Sequence, residues 1–307
     1  MVERYEAEEK AWAADVPECA VILVSYNGAA YLARCLESLR AQTYRDFDVI
    51  LIDNASSDDT LAVARVEAHG LPRVTIVPLQ QNTGFAGGNS LALQYVSRET
   101  RFVVLLNTDA FPEPEWLGRL VAAADQDPRV GLTVGKILDA ADPSRIDSCG
   151  DVLNLFGAPC SRGRGLPSDC FNNDEDVFGG CAAALLIRAS ALRELGYLFD
   201  ESLFTYNEDV DLAYRVQTRG YRCRYVADAV VHHLRSAASP GREAWRHAIS
   251  RRNMWIVFMR YSRTRPLKVL LFVLYWLAGD AKLLLTGRAA VVWSEYRMLL
   301  FGTGIRS

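Results

Sequence analysis

The stretch Phe102-Val103-Val104-Leu105-Leu106-Asn107-Thr108-Asp109 carries the clearest chemical signal in this chain. Five consecutive apolar residues, four of them valine or leucine, read as a strand buried on both faces. The strand stops abruptly at Asn107, Thr108 and Asp109. In an open α/β sheet, ligands gather beyond the carboxyl ends of the parallel strands. A carboxylate fixed there can hold Mg2+ or Mn2+, which takes oxygen ligands and keeps positions open for phosphate oxygens. Asp109 is the metal-ligand candidate on that ground, against the plainer reading of a loop acid after a strand.

Four other groups have the right chemistry. Asp53 ends a second strand, Asp48–Ile52, where a carboxylate can accept from a base N–H or a ribose hydroxyl; capping a turn is the alternative. Asn82-Thr83-Gly84-Phe85-Ala86-Gly87-Gly88 lets backbone approach a ligand closely, or is an ordinary strand-to-helix connection. Asn207-Glu208-Asp209-Val210-Asp211 opens a helix with three acids. Acids suit a helix N-terminus in any case, but neighbouring carboxylates raise each other's pKa, which suits a general base. His232-His233 ends a β-branched run. Neighbours on a strand face opposite ways, so one imidazole at most enters a cleft.

The elements that must position these groups follow from hydropathy. Strands are expected at Ala20–Ser25, Asp48–Ile52, Val74–Val77 and Phe102–Leu106. The stripe Leu32, Cys35, Leu36, Leu39 marks a helix between the first two. Further helices are expected over Asp59–Ala68, Asn89–Ser97, Glu115–Ala124 and Asn207–Arg219. Later strands are read at Leu132–Leu138, Ala182–Ile187, Arg222–Val226 and Ala229–Val231. Residues 157–176, rich in Gly, Pro, Ser and Asn, read as a long loop of the kind that forms lids. Alternating strands and helices with short connections predict an α/β fold, a mostly parallel sheet with helices on both faces. Neither a Gly-x-Gly-x-x-Gly turn nor a P-loop follows a strand, which disfavours a dinucleotide oxidoreductase and a P-loop NTPase.

Half of the 307 residues are hydrophobic, enough for a sizeable core. The seven cysteines are odd in number and lack Cys-x-x-Cys spacing, so neither a disulfide framework nor a zinc site is expected, and reduced thiols fit the cytosol. Residues 1–17 read as a solvated lead-in without the apolar core of a secretory signal. Net charge is −3, yet residues 242–268 carry +7 and the remainder −10. In this tail, residues 241–307, aromatics interleave with Arg and Lys, and Val269–Gly279 is uncharged but too short to span a bilayer. That composition fits helices lying on an anionic lipid surface. Packing on the catalytic body, or on a second subunit in a homodimer, is the alternative. No nucleic-acid partner is expected.

Together the stretches over about residues 19–240 resemble inverting glycosyltransferases of family 2, which have the nucleotide-sugar-binding GT-A fold. Among these they look like bacterial rhamnosyltransferase-like members that build cell-surface polysaccharides. The resemblance implies a GT-A domain over residues 18–240 with a metal-dependent single displacement that inverts the anomeric carbon. It implies that Ser25, Tyr26, Asn27, Asp53, Asn82, Gly84, Gly88, Asn107 and Thr108 line the nucleotide pocket. Asn107 stands where the family has the first acid of its Asp-x-Asp motif, and is assigned to nucleotide or water contacts. Asp109 and His233 are implied as metal ligands, with His232 ranked lower. Asp209, paired with Glu208, is implied as the base. The implied donor is a dTDP- or UDP-sugar. The implied acceptor is a glycan or polyprenyl-diphosphate-linked sugar at the inner leaflet, with the enzyme cytoplasmic and peripheral to the membrane. A nucleotidyltransferase would carry a glycine-rich basic turn after the first strand, which Tyr26-Asn27-Gly28 lacks. A non-catalytic scaffold would not need Asp109, Asp209 and His233 intact.

Overall fold

The computed structural model describes residues 3–6, 16–155, 158–235, 243–262, 266–287, 289 and 292–293. In chain order its strands are β1 (Glu3–Glu6), β2 (Cys19–Ser25), β3 (Phe47–Asp53), β4 (Arg73–Pro78), β5 (Phe102–Asn107), β6 (Ala110–Pro112), β7 (Val130–Asp139), β8 (Ile146–Ser148), β9 (Asp151–Leu153), β10 (Pro159–Ser161), β11 (Glu175–Val177), β12 (Ala184–Arg188) and β13 (Arg222–His233). The helices are α1 (Ala29–Arg40), α2 (Thr60–Glu67), α3 (Gly84–Ala92), α4 (Trp116–Asp125), α5 (Ala189–Leu195), α6 (Glu208–Thr218), α7 (Glu243–Ser262) and α8 (Pro266–Leu285).

The main sheet has the order β1-β4-β3-β2-β5-β12-β7-β13-β11. Strands β4, β3, β2 and β5 are parallel, β12 runs against both β5 and β7, and β7 and β13 are parallel again. The sheet is therefore mixed, with β12 alone reversed among these seven central strands. Continuous apolar runs make the strands because both sheet faces are covered. Val21, Leu23, Val49, Leu51, Val104 and Leu106 pack under α1, α2 and α4. Their alternates Ile22, Ile50, Ile52, Val103 and Leu105 pack on the other face with residues of α3, α5 and α6.

Strand order reverses between β2 and β5, with β3 on the far side of β2. The carboxyl ends of β3, β2 and β5 thus align Asp53 beside Ser25 and Val24 beside Asn107. This is the switch point at which an open α/β sheet binds ligands.

Several elements differ from expectation. Residues 3–6 of the supposed lead-in form an edge strand antiparallel to β4; residues 7–15 lie outside the described residues. The glycine-rich segment is not a turn ahead of a helix at Asn89, because α3 already begins at Gly84. The two short strands after Gly220 are one twelve-residue strand, β13, interrupted by a bulge between Val226 and Val230. Of the segment expected as a loop, residues 158–176 contain β10 and the start of β11 and are tied to the body. Lys136 Nζ donates to Ser168 O (3.0 Å) and Asn172 Oδ1 (2.7 Å), and Ala227 N donates to Asp174 Oδ1 (2.8 Å).

The tail folds back on the body. Val257 of α7 packs with Leu203 and Val210, and Phe258 stacks on Phe272 of α8. Two of its arginines turn inward: Arg251 pairs with Asp280 at 2.5 Å, and Arg260 with Asp211 and Asp200 at 2.5 and 2.6 Å. Leu267, Leu270, Leu274, Leu277 and Leu284, on one side of α8, stay exposed. Among the described residues no helix is long and apolar enough to cross a membrane.

Candidate active site

Asp109 and His233 meet because of strand pairing far from either residue in sequence. Directly after Asp109, β6 pairs antiparallel with the end of β13, setting Ala110 opposite His233. Leu234 N then donates to Asp109 O at 3.0 Å. His233 Nε2 lies 3.3 Å from Asp109 Oδ1, and Nδ1 lies 3.2 Å from Asp147 Oδ2. All three residues are buried. The Nε2 contact lacks hydrogen-bond geometry, so this buried nitrogen has no hydrogen-bond partner. Burial would lower the imidazole pKa, but the two carboxylates outweigh it and hold it up to about 9. His232 points elsewhere, toward Glu113 Oε1 at 3.2 Å.

Among the described residues, no group of three or more His, Cys, Asp or Glu is arranged to hold a metal. Asp109 and His233 supply two donors. A buried imidazole nitrogen and a carboxylate facing each other at 3.3 Å fit a divalent cation whose remaining positions go to phosphate oxygens and water. The contact of Nδ1 with Asp147 is the kind that orients a ligating histidine.

The implied nucleotide residues fall into two sets. Ser25 (fully buried), Asp53 and Thr108 are buried at the strand ends; the Ser25 hydroxyl has no partner, while Asp53 Oδ1 accepts from Ser56 N at 3.2 Å in the turn that follows. Gly28 leaves room for the Ser25 and Thr108 hydroxyls; a Cβ there would lie 2.5 Å and 3.1 Å from their oxygens. Tyr26 and Asn107 are half-buried beside them. The second set is occupied by protein. Asn27 Oδ1 accepts from Ser57 N, joining two loops. Asn82 Oδ1 accepts from Gly84 N. Gly84, at φ +75°, faces Phe204, and a Cβ on Gly88 would lie 2.7 Å from Val24 Cγ1. Close packing of α3 on β2 and on Phe204 accounts for these two glycines, so their approach is to protein groups.

Asn54 was passed over as a neighbour of Asp53. It is buried, accepts from Thr83 N and donates to Gly84 O, fixing the start of α3.

Glu208 and Asp209 sit on the first turn of α6 as expected. Asp209 Oδ2 accepts from Ala182 N at 3.2 Å and Oδ1 from Val210 N at 2.9 Å. Burial raises the Asp209 pKa despite these bonds. Burial, then the charge of Asp209, pushes Glu208 well above the carboxylate range, and its Oε2 has no partner.

Two bystanders link this helix to the Asp109–His233 pair. The Cys181 thiol is pushed up by burial and then by Asp209, Asp151 and Asp147. The Tyr206 phenol is raised first by burial; Glu208 and Asp109 add to this while Arg246 and Arg235 oppose it. The acids therefore share one neighbourhood. Asp147 and Asp151 belong to it and were missed. The available signal was Ile146-Asp147-Ser148-Cys149-Gly150-Asp151, two acids in a run that is otherwise small or apolar.

This sheet, with its row of polar residues at the switch point, defines a GT-A glycosyltransferase architecture. The chain belongs to glycosyl transferase family 2, whose sequence profile matches residues 20–195. It is 28% identical over 261 residues to the N-acetylglucosaminyl-diphospho-decaprenol L-rhamnosyltransferase of Mycobacterium tuberculosis, covering 78% of this chain and 83% of that one. The fold is similar to that of the mannosyltransferase PcManGT from Pyrobaculum calidifontis, solved with GDP-Man and Mn2+ (TM-score 0.55, 20% identity, 94% of this chain and 85% of that one). It is also similar to GalNAc-T7, solved with UDP, GalNAc and Mn2+ (TM-score 0.59, 16% identity, 83% and 52%).

Proposed function

We propose that this glycosyltransferase moves a sugar, of the rhamnosyl or hexosyl class, from a dTDP- or UDP-linked donor to a hydroxyl of a polyprenyl-diphosphate-linked glycan, with inversion. The observation that carries the reading is the pair of His233 Nε2 and the Asp109 carboxylate, buried together at the strand ends 3.3 Å apart. The polyprenyl-diphosphate-linked acceptor in the mycobacterial relative's name supports the acceptor class.

Asp109 and His233 would hold Mg2+ or Mn2+, which supplies positive charge where the nucleoside diphosphate leaves. Ser25 and Thr108 offer hydroxyls, and Asp53 a carboxylate, to the nucleoside. Asp209, fixed by Ala182 N and Val210 N, takes the acceptor hydroxyl's proton as its oxygen attacks the anomeric carbon. The C1–O bond to the diphosphate breaks with its electron pair leaving on the nucleotide, so the configuration inverts in one step. A raised pKa gives Asp209 the basicity this transfer requires.

The exposed leucine row of α8 supports a peripheral position on the inner leaflet. Because Arg251 and Arg260 pair internally, the contact is apolar more than ionic. Co-sedimentation with phosphatidylglycerol vesicles should survive high salt and fail in the Leu270→Asp, Leu274→Asp double variant. Indifference of the wild-type chain to vesicles overturns the membrane part.

The transfer itself is tested by a thermal-shift screen of nucleotide sugars with Mn2+, followed by turnover on a polyprenyl-diphosphate-linked sugar. Stabilisation by one donor and metal-dependent transfer with inversion are expected. Absence of both binding and transfer across dTDP- and UDP-sugars overturns the proposal.

A further inference from the structure

Between Leu203 and α6 the backbone takes an uncommon path. Phe204, Tyr206 and Asn207 have φ of +62°, +70° and +67°. Such a conformation costs roughly 1–2 kcal/mol for a residue such as phenylalanine or tyrosine, and less for asparagine. It persists only where surrounding contacts fix it. These contacts come from α7, beyond the residues matched by the family profile. Asn253 is fully buried, and its Nδ2 reaches three carbonyl oxygens: Leu203 at 2.7 Å, Tyr206 at 2.8 Å and Thr205 at 2.9 Å. One turn earlier, Ser250 O accepts from Asn207 Nδ2 at 2.8 Å.

This loop touches both halves of the site. Phe204 O accepts from Ala86 N at 3.0 Å, and the Phe204 ring fills the space that Gly84 leaves open. Four residues after Phe204 the chain enters α6 with Glu208 and Asp209. Displacement of the loop therefore moves Asp209 relative to the β-strand ends without touching Asp109, His233 or Asp53.

We infer that Asn253 is a positioning residue for the Asp209 base: its amide holds the loop whose three positive-φ residues aim the first turn of α6. The inference rests on the transferase reading above. The strain-specific partner is Asn207, where glycine takes the same φ more readily than asparagine while giving up the Nδ2 bond to Ser250 O.

The test compares Asn253→Ala with the double variant Asn253→Ala, Asn207→Gly in the full chain. Misplacing a reacting group by about 1 Å can cost on the order of 10²-fold in rate. Asn253→Ala should lose about that factor in kcat while its Kd for UDP or dTDP with Mn2+, measured by titration calorimetry, stays within about threefold. The double variant should recover about tenfold or more of the lost kcat, because the backbone no longer resists the required φ. A role confined to general stability predicts instead a lower Tm, nucleotide affinity and kcat falling together, and no recovery from the glycine. That pattern, or wild-type kcat in folded Asn253→Ala, overturns the inference. If the alanine variant does not fold, Asn253→Ser, which retains one donor, takes its place, and wild-type kcat there has the same meaning. A wild-type chain that binds and transfers nothing fails the transferase reading instead, so the two failures are distinct.

Discussion

His233 Nδ1 lies 3.2 Å from Asp147 Oδ2, on the side of the ring away from Asp109. A histidine between two carboxylates keeps its proton when no metal is present, and a cation at Nε2 must displace that proton. With the imidazole pKa at about 9, Mn2+ affinity should rise between pH 7 and pH 9, as calorimetry would show. In metal-free protein the sign is opposite. The His233 contribution to stability is complete below its ordinary value of 6.5 and lost as pH rises through about 9. His233→Ala should flatten both dependences.

Asp147→Asn removes one of those two carboxylates while keeping the size of the side chain. The outer partner of a ligating histidine is commonly worth about 10–100-fold in metal affinity. Mn2+ binding should weaken by that order, and its pH dependence should move to lower pH. An unchanged titration would show that Asp147 only braces Arg235 and Arg164, its other ion-pair partners.

Asp209→Asn should reduce transfer by about 10²–10⁴-fold, the usual worth of a general base, while nucleotide binding persists. Turnover near the wild-type rate would remove Asp209 from the mechanism.

Asp151 is buried, and burial followed by the charge of Asp209 lifts its pKa from 3.8 to about 7. An acid raised on folding destabilises the fold progressively from about pH 4 to pH 7 and fully above that range. Asp151→Asn should therefore raise Tm at pH 8 and change it little at pH 4, as differential scanning calorimetry would show.

Gly84→Ala puts a Cβ 2.5 Å from the Phe204 ring at a φ of +75°. Left-handed backbone alone costs roughly 1–2 kcal/mol in a residue with a Cβ, and the steric contact adds to it. Tm should fall by several degrees, with kcat reduced through the displaced Phe204.

The parallel half of the sheet was legible because each strand is a local apolar run and each helix a local stripe. Asp53, Ser25 and Asp109 were legible for the same reason, since strand ends are local features. Other features depend on register between distant segments. That His233 faces Asp109 follows from β6 pairing with β13, and that Asp147 lies behind the imidazole depends on β8 pairing with β7. That Gly84 and Gly88 pack against Phe204 and Val24 was not legible, because an empty Cβ position looks alike in sequence whether a ligand or a phenylalanine fills it. The arginines of α7 suggested a charged outer surface because composition does not reveal that Asp200, Asp211 and Asp280 face them.

The amide of Asn253 also bears on how such enzymes can diversify. If Asp209 is the base, a C-terminal helix that reaches into the bend ahead of it is not an interchangeable part. Exchanging it between relatives would transplant part of the catalytic alignment along with any membrane preference. Chimeras joined near residue 240 should be inactive unless the incoming helix brings an amide at the equivalent depth.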